Sequence, residues 1–207
     1  GCYGLYPALA NPLRFATLCG DGTATTYTIG ADRASAQLKS NAKFFDPQND
    51  PLYTHAERDR DGYVFITYSG KFMRLAVDGD TVVAQPAGDV AEGQKGWAPG
   101  GYQPFAYDAQ SGLAYVLMHD KAAEGSHKAP SVEIWAYDLR ARKVVARSPV
   151  AGLIGITLAA SSPSVLFAID GVANKIVRLA VDAQSRAVSP AGEIKLGETA
   201  ALIEAPQ

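Results

Sequence analysis

Short runs of aromatic and aliphatic residues, each preceded by a turn signal, recur at a regular spacing along the chain. Positions 62, 112 and 162 each fall in such a turn, and they are 50 residues apart. The turns and the runs that follow them are Asp61-Gly62 before 63–67, Ser111-Gly112 before 113–117, and Ser162-Pro163 before 165–169. Runs of about four to eight residues bounded by turns are typical of β-strands. The pattern therefore predicts a repeated, all-β architecture.

Each repeat continues into further strands after further turns. The predicted second strands are 71–77, 131–138 and 175–181, and the predicted outer strands are 81–84, 143–147 and 187–194. An earlier copy of the unit is predicted from strands 3–7, 14–19, 24–29 and 43–45. No segment has the periodicity of a helix longer than about two turns. Each unit is thus predicted to be a four-stranded meander.

Four such units favour a β-propeller over a β-sandwich, because a sandwich has no reason to repeat one spacing. The predicted blades are 1–47, 48–96, 97–150 and 151–196. Residues 197–207 contain one further predicted strand, at 200–203, with no blade of its own. A propeller closes with roughly four to eight blades. We therefore expect this closing strand to complete a blade that lies outside the chain.

The composition of the chain argues against nucleic-acid binding and against a membrane-spanning segment. It carries 19 Lys and Arg against 21 Asp and Glu, a net charge of −2, without the basic stripe that nucleic acid requires. Hydrophobic residues make up 47% of the chain, but no apolar run is long enough to predict a membrane span. The sequence starts at Gly1 without an initiator Met, so we expect processing or truncation at this point.

Motifs for catalysis or cofactor binding are missing from the sequence. Gly20-Asp21-Gly22 is a GxG, but Thr25 stands where a nucleotide fingerprint needs Gly, so a hairpin turn is the better interpretation. The three histidines, His55, His119 and His127, are spread over two repeats and are expected to be structural. GxSxG, HExxH, P-loop and EF-hand spacings do not occur. We therefore predict no catalytic, cofactor-binding or metal-ligating residue on this chain.

The two cysteines, Cys2 and Cys19, bracket an apolar stretch that ends in a tight turn. If 3–7 and 14–18 are neighbouring antiparallel strands, a disulfide at the sheet edge is one interpretation. Two buried free thiols are the other. A disulfide closing a loop of this size contributes about 3 kcal/mol and indicates an oxidising compartment. A metal site is not expected, because there is no CxxC pair.

One part of the sequence resembles a known family. It comprises Gly96-Trp97-Ala98-Pro99-Gly100-Gly101-Tyr102 and the residues up to 107, then 113–118, Ser126-His127-Lys128 and 132–138. It resembles the C-terminal half of the heavy subunit of the quinone-dependent amine dehydrogenases, the methylamine and aromatic amine enzymes. The likeness covers nearly the whole chain and weakens beyond Ala151. It extends to Cys2 with Cys19-Gly20-Asp21-Gly22, to His55 and to Thr67-Tyr68-Ser69-Gly70-Lys71.

This resemblance implies a fold and a set of partners. The heavy subunit of that family is a seven-bladed periplasmic propeller without a redox cofactor, so about four of seven blades would lie here. The N-terminal half of the propeller would be a partner. A small, cysteine-rich light subunit bears tryptophan tryptophylquinone and passes electrons to a cupredoxin or cytochrome. The likeness also implies a disulfide between Cys2 and Cys19. The chain would then scaffold the light subunit in the oxidative deamination of primary amines without catalysing it.

A loop in the same segment is the candidate surface for a partner. Its residues are Trp97, Pro99, Gly100, Gly101 and Tyr102, and His127 and Lys128 belong to the same candidate surface. Aromatic and Gly-rich loops at blade ends are common binding sites of propellers. An inter-blade packing loop is the alternative. For the whole chain, the alternatives are a propeller that binds another protein without amine dehydrogenase activity, and a propeller enzyme whose site carries no visible motif.

Overall fold

The chain folds almost entirely into β-strands. Its computed structural model describes residues 1–159 and 165–205, so the predicted turn at Ser162-Pro163 lies outside the described residues. Within these ranges, seventeen strands form four antiparallel sheets, and there is one short 3-10 helix. The chain divides into two compact units, residues 1–67 with 72–87, and residues 68–71 with 88–207.

The first sheet is a meander of four strands in chain order. They are β1 (Cys2–Pro7), β2 (Arg14–Cys19), β3 (Ala24–Ile29) and β4 (Ala36–Ser40). A tight turn joins β2 to β3, where the Gly22 N–H donates to the Cys19 carbonyl at 3.0 Å. The Asp21 carboxylate accepts from the Thr23 backbone N–H at 3.0 Å, which satisfies a further donor of the turn. The predicted hairpin interpretation of Gly20-Asp21-Gly22 is therefore confirmed.

The outer strand of this sheet differs from the sequence prediction. The prediction of a strand at 43–45 is wrong, because the fourth strand is β4 and every residue of β4 is exposed. An outer strand with no buried face carries no hydrophobic alternation and so gives no strand signal. Phe45 is instead a buried loop residue, and the N–H of Phe44 donates to the Gly22 carbonyl at 2.9 Å.

The second sheet supplies most of the remaining core of the first unit. Its strands are β5 (Glu57–Arg58), β6 (Tyr63–Ile66), β7 (Lys71–Asp78) and β8 (Thr81–Asp89), of which Lys71 and the end of β8 belong to the second unit. Tyr6 and Leu18 pack in one cluster with Phe65 and Leu75. The Tyr6 and Phe65 rings meet edge to face with centroids 4.9 Å apart. Each such buried side chain contributes about 1.5–3 kcal/mol.

The third and fourth sheets build the second unit. The third consists of β9 (Ala98–Pro99), β10 (Phe105–Asp108), β11 (Leu113–His119), β12 (Glu133–Asp138) and β13 (Lys143–Ser148), with the 3-10 helix Ser126–Lys128 between β11 and β12. The fourth consists of β14 (Leu153–Ala159), β15 (Val165–Asp170), β16 (Lys175–Val181) and β17 (Val188–Lys195). The short β9 pairs with β11 beside the four main strands.

The core of the second unit lies between these two sheets. All seven residues of β11 are buried, which explains its unbroken apolar run, because a strand covered on both faces does not alternate. Leu117 and Ile134 of the third sheet pack in one cluster with Ile156 and Leu166 of the fourth. This cluster holds the third and fourth sheets together.

The chain end departs from the predicted closing strand. Residues 197–205 form no strand, although the sequence predicts one at 200–203. An extended segment becomes a strand only when its backbone pairs with another strand. Within the described residues, the backbone of Ile203 is instead hydrogen bonded to the side chain of Gln103. In the same part of the chain, no helix has the length and apolar character needed to cross a bilayer.

Candidate functional site

The candidate loop lies between β9 and β10, and it meets the segment that follows the 3-10 helix. The Gly100 N–H donates to the Leu117 carbonyl at 3.0 Å. A Cβ at Gly100 would overlap the carbonyl oxygen of Ala129 and would lie 2.7 Å from Cδ2 of His119. Only glycine allows so close an approach. The structure therefore brings the loop against Ala129, which directly follows the Ser126–Lys128 helix.

Three residues of this loop are used for packing. Pro99, Gly100 and Gly101 are buried. Gly101 has a φ of +98°, and a Cβ there would overlap the Ile154 carbonyl oxygen. The Tyr102 N–H donates to that same oxygen at 2.6 Å, which fastens the loop to the first strand of the fourth sheet. At these three positions the geometry is that of the inter-blade packing loop.

Trp97 is half-buried in a polar and aromatic cluster. Its ring centroid lies 5.0 Å from that of Trp135. The guanidinium of Arg147 lies over both rings, 4.7 Å from the centroid of Trp97 and 4.2 Å from that of Trp135. Arg147 Nε donates to Glu133 Oε2 at 2.7 Å, and Trp135 Nε1 donates to the same oxygen at 2.5 Å. Trp97 therefore holds the loop before β9 in place.

The accessible part of the candidate surface consists of Tyr102, His127 and Lys128, and the structure adds Tyr68 to it. We name these four residues the Tyr102–Lys128 face. Tyr102 is 45% exposed, and Lys128 Nζ lies 6.0 Å from the centroid of its ring, at the outer limit of a cation–π contact. The Tyr68 ring stacks on the His127 ring with centroids 4.1 Å apart and an interplanar angle of 14°. Tyrosine is enriched at protein interfaces, because its ring is apolar and its hydroxyl group can form a hydrogen bond.

The charge state of this face follows from its burial. Burial, and to a lesser degree the neighbouring charge of Lys128, lowers the pKa of His127. Burial likewise raises the pKa of the Tyr68 hydroxyl. At neutral pH the imidazole and the phenol are therefore uncharged, and Lys128 supplies the positive charge. Such a face can donate hydrogen bonds to carbonyl and carboxylate groups of a partner.

A cleft of about 660 Å³ opens beside this face in the second unit. Its lining combines small apolar residues with polar ones, namely His119, Asp120, Lys121, Ser131, Asp170 and Val172 among others. His119 Nδ1 accepts from the Lys121 backbone N–H at 3.2 Å, and burial lowers the pKa of His119. The Ser131 hydroxyl donates to the Val150 carbonyl at 3.0 Å, so it is used within the fold.

The remaining residues singled out by sequence lie in the first unit. His55 Nε2 lies 3.1 Å from Glu57 Oε1, and both side chains are largely buried. Cys2 and Cys19 are register partners at the ends of β1 and β2, and they form a disulfide. The predicted disulfide is therefore confirmed, and the alternative of two free thiols is wrong. Within the described residues, no group of three or more metal-ligating side chains comes together.

Two residues of interest escaped sequence reasoning. Tyr68 lies in the turn between β6 and β7, 59 positions from His127, on which it stacks. Gln103 pairs with Ile203 at a separation of 100 residues. The only available signal was the aromatic residue in Thr67-Tyr68-Ser69-Gly70, since exposed aromatics in turns are candidates for binding.

The sequence of the chain matches a known protein family. The family model described as methylamine dehydrogenase heavy chain (MADH) matches residues 1–194. The methylamine dehydrogenase heavy chain of Methylorubrum extorquens is 32% identical over 147 residues, which cover 69% of this chain and 35% of that protein. The heavy chain of Paracoccus versutus is 34% identical over 137 residues, 63% of this chain and 30% of that one. The matched region thus spans about a third of the length of these curated relatives.

Comparison with solved structures identifies the fold. The Cps50 (Swd1) beta-propeller domain of Myceliophteria thermophila superposes with a TM-score of 0.52, covering 95% of this chain and 59% of that chain. The sequence identity is 11%, so this likeness shows the fold alone. The four sheets are blades of a β-propeller, as the repeat in the sequence predicts.

Proposed function

Because the chain belongs to the methylamine dehydrogenase heavy chain family, we propose that it acts as a non-catalytic heavy subunit, or as a portion of one. The observation that carries this proposal is the family match over residues 1–194. Oxidising an amine needs an electrophilic carbonyl, which unmodified side chains lack. We propose that tryptophan tryptophylquinone on a cysteine-rich light subunit supplies it. The heavy chain then scaffolds that subunit during the oxidative deamination of primary amines.

The Tyr102–Lys128 face is the proposed contact for the light subunit. Tyr102 is exposed although its backbone is fixed by the bond to Ile154, so little conformational entropy is lost when a partner covers it. Tyr68 and His127 are already stacked. Lys128 supplies one positive charge, which favours a partner surface with a carboxylate. Tyrosine is one of the residue types that are enriched among the hot spots of protein interfaces.

The N-terminal half of a propeller is a second proposed partner. The first sheet supports it, because one face carries a row of large side chains. Phe15 and Tyr27 are register partners whose rings stack with centroids 4.8 Å apart, and Leu38 opposite Tyr27 is 60% exposed. Exposed apolar rows on a sheet face indicate a surface that another element covers. A further blade packed on this face would bury that row.

The periplasm is the proposed compartment. The Cys2–Cys19 disulfide supports this, because structural disulfides persist in oxidising compartments such as the bacterial periplasm. A cupredoxin or a cytochrome is the proposed electron acceptor, by likeness to the family. In this arrangement the heavy chain contributes binding surface, while electrons pass from the light subunit to the acceptor.

Co-expression with a cysteine-rich light subunit of the family tests the proposal. We expect the two to co-purify and the complex to reduce a dye acceptor when methylamine or phenylethylamine is added. The chain purified without partners should show neither visible quinone absorbance nor amine-dependent dye reduction. Quinone absorbance with turnover by the chain alone would refute the scaffold role. A stable chain that captures no light subunit would instead favour the propeller that binds another protein.

Substitutions on the Tyr102–Lys128 face test whether this face contacts the light subunit. We expect Tyr102→Ala with Lys128→Ala to weaken light-subunit binding about tenfold or more, since hot-spot truncations cost about 2 kcal/mol or more. Lys143→Ala is the matched control, because Lys143 is an exposed lysine at the start of β13, on a different loop. Equal binding by the face variant and the control, measured by titration calorimetry, would move the contact elsewhere on the chain.

A further inference from the structure

A single buried carboxylate lines the cleft of the second unit. Among the described residues, Asp170 and Glu57 are the only buried acidic residues, and Glu57 belongs to the first unit. Asp170 is 9% exposed, whereas Val172, which lines the same cleft, is 75% exposed. The Asp170 carboxylate therefore lies below the rim of the cleft, where its charge is screened less than at the surface.

One oxygen of this carboxylate is used by the fold. Asp170 Oδ1 accepts from the backbone N–H of Val172 at 3.0 Å and from that of Ala173 at 2.8 Å, in the turn between β15 and β16. An asparagine supplies the same acceptor, so this turn does not need a negative charge. At the end of β12, Asp138 Oδ1 accepts the matching pair of bonds at 2.8 and 2.9 Å, but Asp138 does not line the cleft.

The other carboxylate oxygen has only a distant cation. Within the described residues, Asp170 Oδ2 accepts no hydrogen bond, and its ion-pair partner, Lys175 Nζ, lies 4.0 Å away. The same Nζ donates to Glu193 Oε2 at 2.5 Å, so Glu193 takes most of the charge of Lys175. Asp120 and Lys121, both exposed, add one charge of each sign to the lining. The lining thus has one more carboxylate than ammonium group, which favours an incoming cation.

The walls of the cleft suit the stem of a long cationic side chain. Small apolar residues form much of the lining, namely Ala129, Pro130, Val132, Ala151 and Ala173. Lysine and arginine pack their methylene stems along apolar surface and keep the charged head in a polar environment. The cleft volume of about 660 Å³ lies within the range of about 300–1,000 Å³ that is typical of ligand sites. A lysine or arginine side chain therefore fits both its size and its polarity.

Backbone hydrogen bonds hold these walls in place without a partner. The Ser131 N–H donates to the Leu153 carbonyl at 2.8 Å, and the Gly152 N–H donates to the Ser131 carbonyl at 2.8 Å. The Gly171 N–H donates to the Gly152 carbonyl at 3.0 Å, which ties the turn after Asp170 to the same segment. A site that is formed in advance loses little conformational entropy when it binds.

We propose that the cleft receives a lysine or arginine side chain of the light subunit, whose charged group pairs with Asp170. This inference rests on the proposed function, because the same partner then covers the Tyr102–Lys128 face. Lys128 directly precedes Ala129 and Pro130, which line the cleft, so one partner surface reaches both sites. Lys128 is a cation and Asp170 an anion. The partner surface therefore carries a carboxylate beside a cation, and only one docking orientation satisfies both charges.

Charge removal at two matching turn aspartates tests this proposal by titration calorimetry with the light subunit. Asp170→Asn keeps the acceptor oxygen of the turn and removes the charge. We expect it to weaken binding about tenfold or more, because a recessed charge pair loses one partner. Binding should also become less sensitive to salt, since one screened attraction is gone. Asp138→Asn, the same change in the turn outside the cleft, is the control and should change binding less than about twofold.

Val172→Lys covers the case in which Asp170→Asn does not fold. The Val172 side chain is mostly exposed, so its replacement leaves the fold intact, and a lysine there brings a cation of the chain itself to the cleft. We expect Val172→Lys to weaken light-subunit binding about tenfold, because like charges meet at the interface. Val172→Gln, a long but neutral side chain, is its control and should bind as the wild type does.

The outcomes separate this inference from the proposed function. A folded wild-type chain that binds no light subunit overturns both. If the wild type binds, a folded Asp170→Asn variant with unchanged affinity overturns the role of the cleft alone, and Val172→Lys decides if Asp170→Asn is unfolded. Phenylethylammonium, an ammonium on an apolar stem, is the arm for a free ligand. Its binding to the isolated chain through Asp170, with light-subunit binding unaffected by Asp170→Asn, would make the cleft a site for free amines and overturn the docking role.

Discussion

The four main strands of the third sheet form the same meander as the first sheet, yet the two sheets are covered very differently. In the third sheet, β11 is buried along its whole length, and its apolar side chains pack against the fourth sheet. In the first sheet, β4 is exposed along its whole length, and Leu5 on β1 is 65% exposed. The comparison teaches that one strand pattern serves two purposes. In the third sheet the strands form a buried core, whereas in the first sheet they present an exposed face.

The largest difference is expected between two leucines. Leu117→Ala, in β11, should lower the free energy of unfolding by about 3 kcal/mol, because it opens a cavity in a fully buried strand. Leu38→Ala, in β4, should change it by less than about 0.5 kcal/mol, because that side chain is mostly exposed. Urea titrations of both variants measure the contrast. Similar losses of unfolding free energy in the two variants would contradict the difference in burial between β11 and β4.

The disulfide is expected to contribute nearly as much to the first sheet. Replacing Cys2 and Cys19 together by Ala should lower the free energy of unfolding by about 2–3 kcal/mol, since the bond constrains the unfolded chain. Amides of β1 and β2 should then exchange faster. Adding a reductant to the wild-type chain is the control and should reproduce the effect. A double variant as stable as the wild type would show that the first sheet does not need the bond.

A smaller loss of stability than that of the disulfide is expected from a charge at the start of β12 in the third sheet. Burial raises the pKa of Glu133, but hydrogen bonds from Arg147 and Trp135 lower it more, so the net pKa is below the ordinary 4.5. Because the folded pKa is depressed, this carboxylate stabilises the fold above about pH 4.5, and that contribution is lost as the pH falls through the folded pKa. Glu133→Gln should therefore cost about 1 kcal/mol or less at pH 7.

Urea titrations of the wild type and of Glu133→Gln, at pH 7 and at acidic pH, measure this contribution. Below pH 4.5 the difference between the wild type and Glu133→Gln should shrink, because the wild-type carboxyl becomes neutral as well. Trp97 and Trp135 are the only tryptophans of the chain, so their fluorescence reports on this cluster. A difference that grows toward low pH would contradict the assigned direction of the pKa.

The repeat of turns and strands made most of the fold predictable. The run at 113–117 lies within β11, and the run at 175–181 matches β16, because buried strands carry strong apolar signals. The strand β4 was missed for the opposite reason, since a fully exposed outer strand has no apolar face. The terminal segment was predicted as a strand from its composition alone. Whether such a segment pairs depends on a partner that local sequence does not reveal.

The candidate site was predictable only in part. The glycines and aromatic residues of the loop indicated a candidate surface, because binding residues are enriched on loops that a rigid scaffold positions. Which of these residues pack within the fold and which are exposed was not predictable. Gly100 and Gly101 are needed for close approach to Ala129 and Ile154, whereas Tyr102 is free to face outward. Contacts over long separations, such as that of Gln103 with Ile203, leave no trace in local patterns.

The meander order of the strands has a consequence for how such a polypeptide is made and inherited. In all four sheets the main strands pair with their neighbours in sequence. Loop-closure entropy is therefore small for each pairing, and each blade gathers most of its contacts from a short window of chain. A reading frame interrupted between two blades would separate no pair of hydrogen-bonded strands within a sheet. Duplication, loss or division of whole blades is thus the change that this topology tolerates most easily.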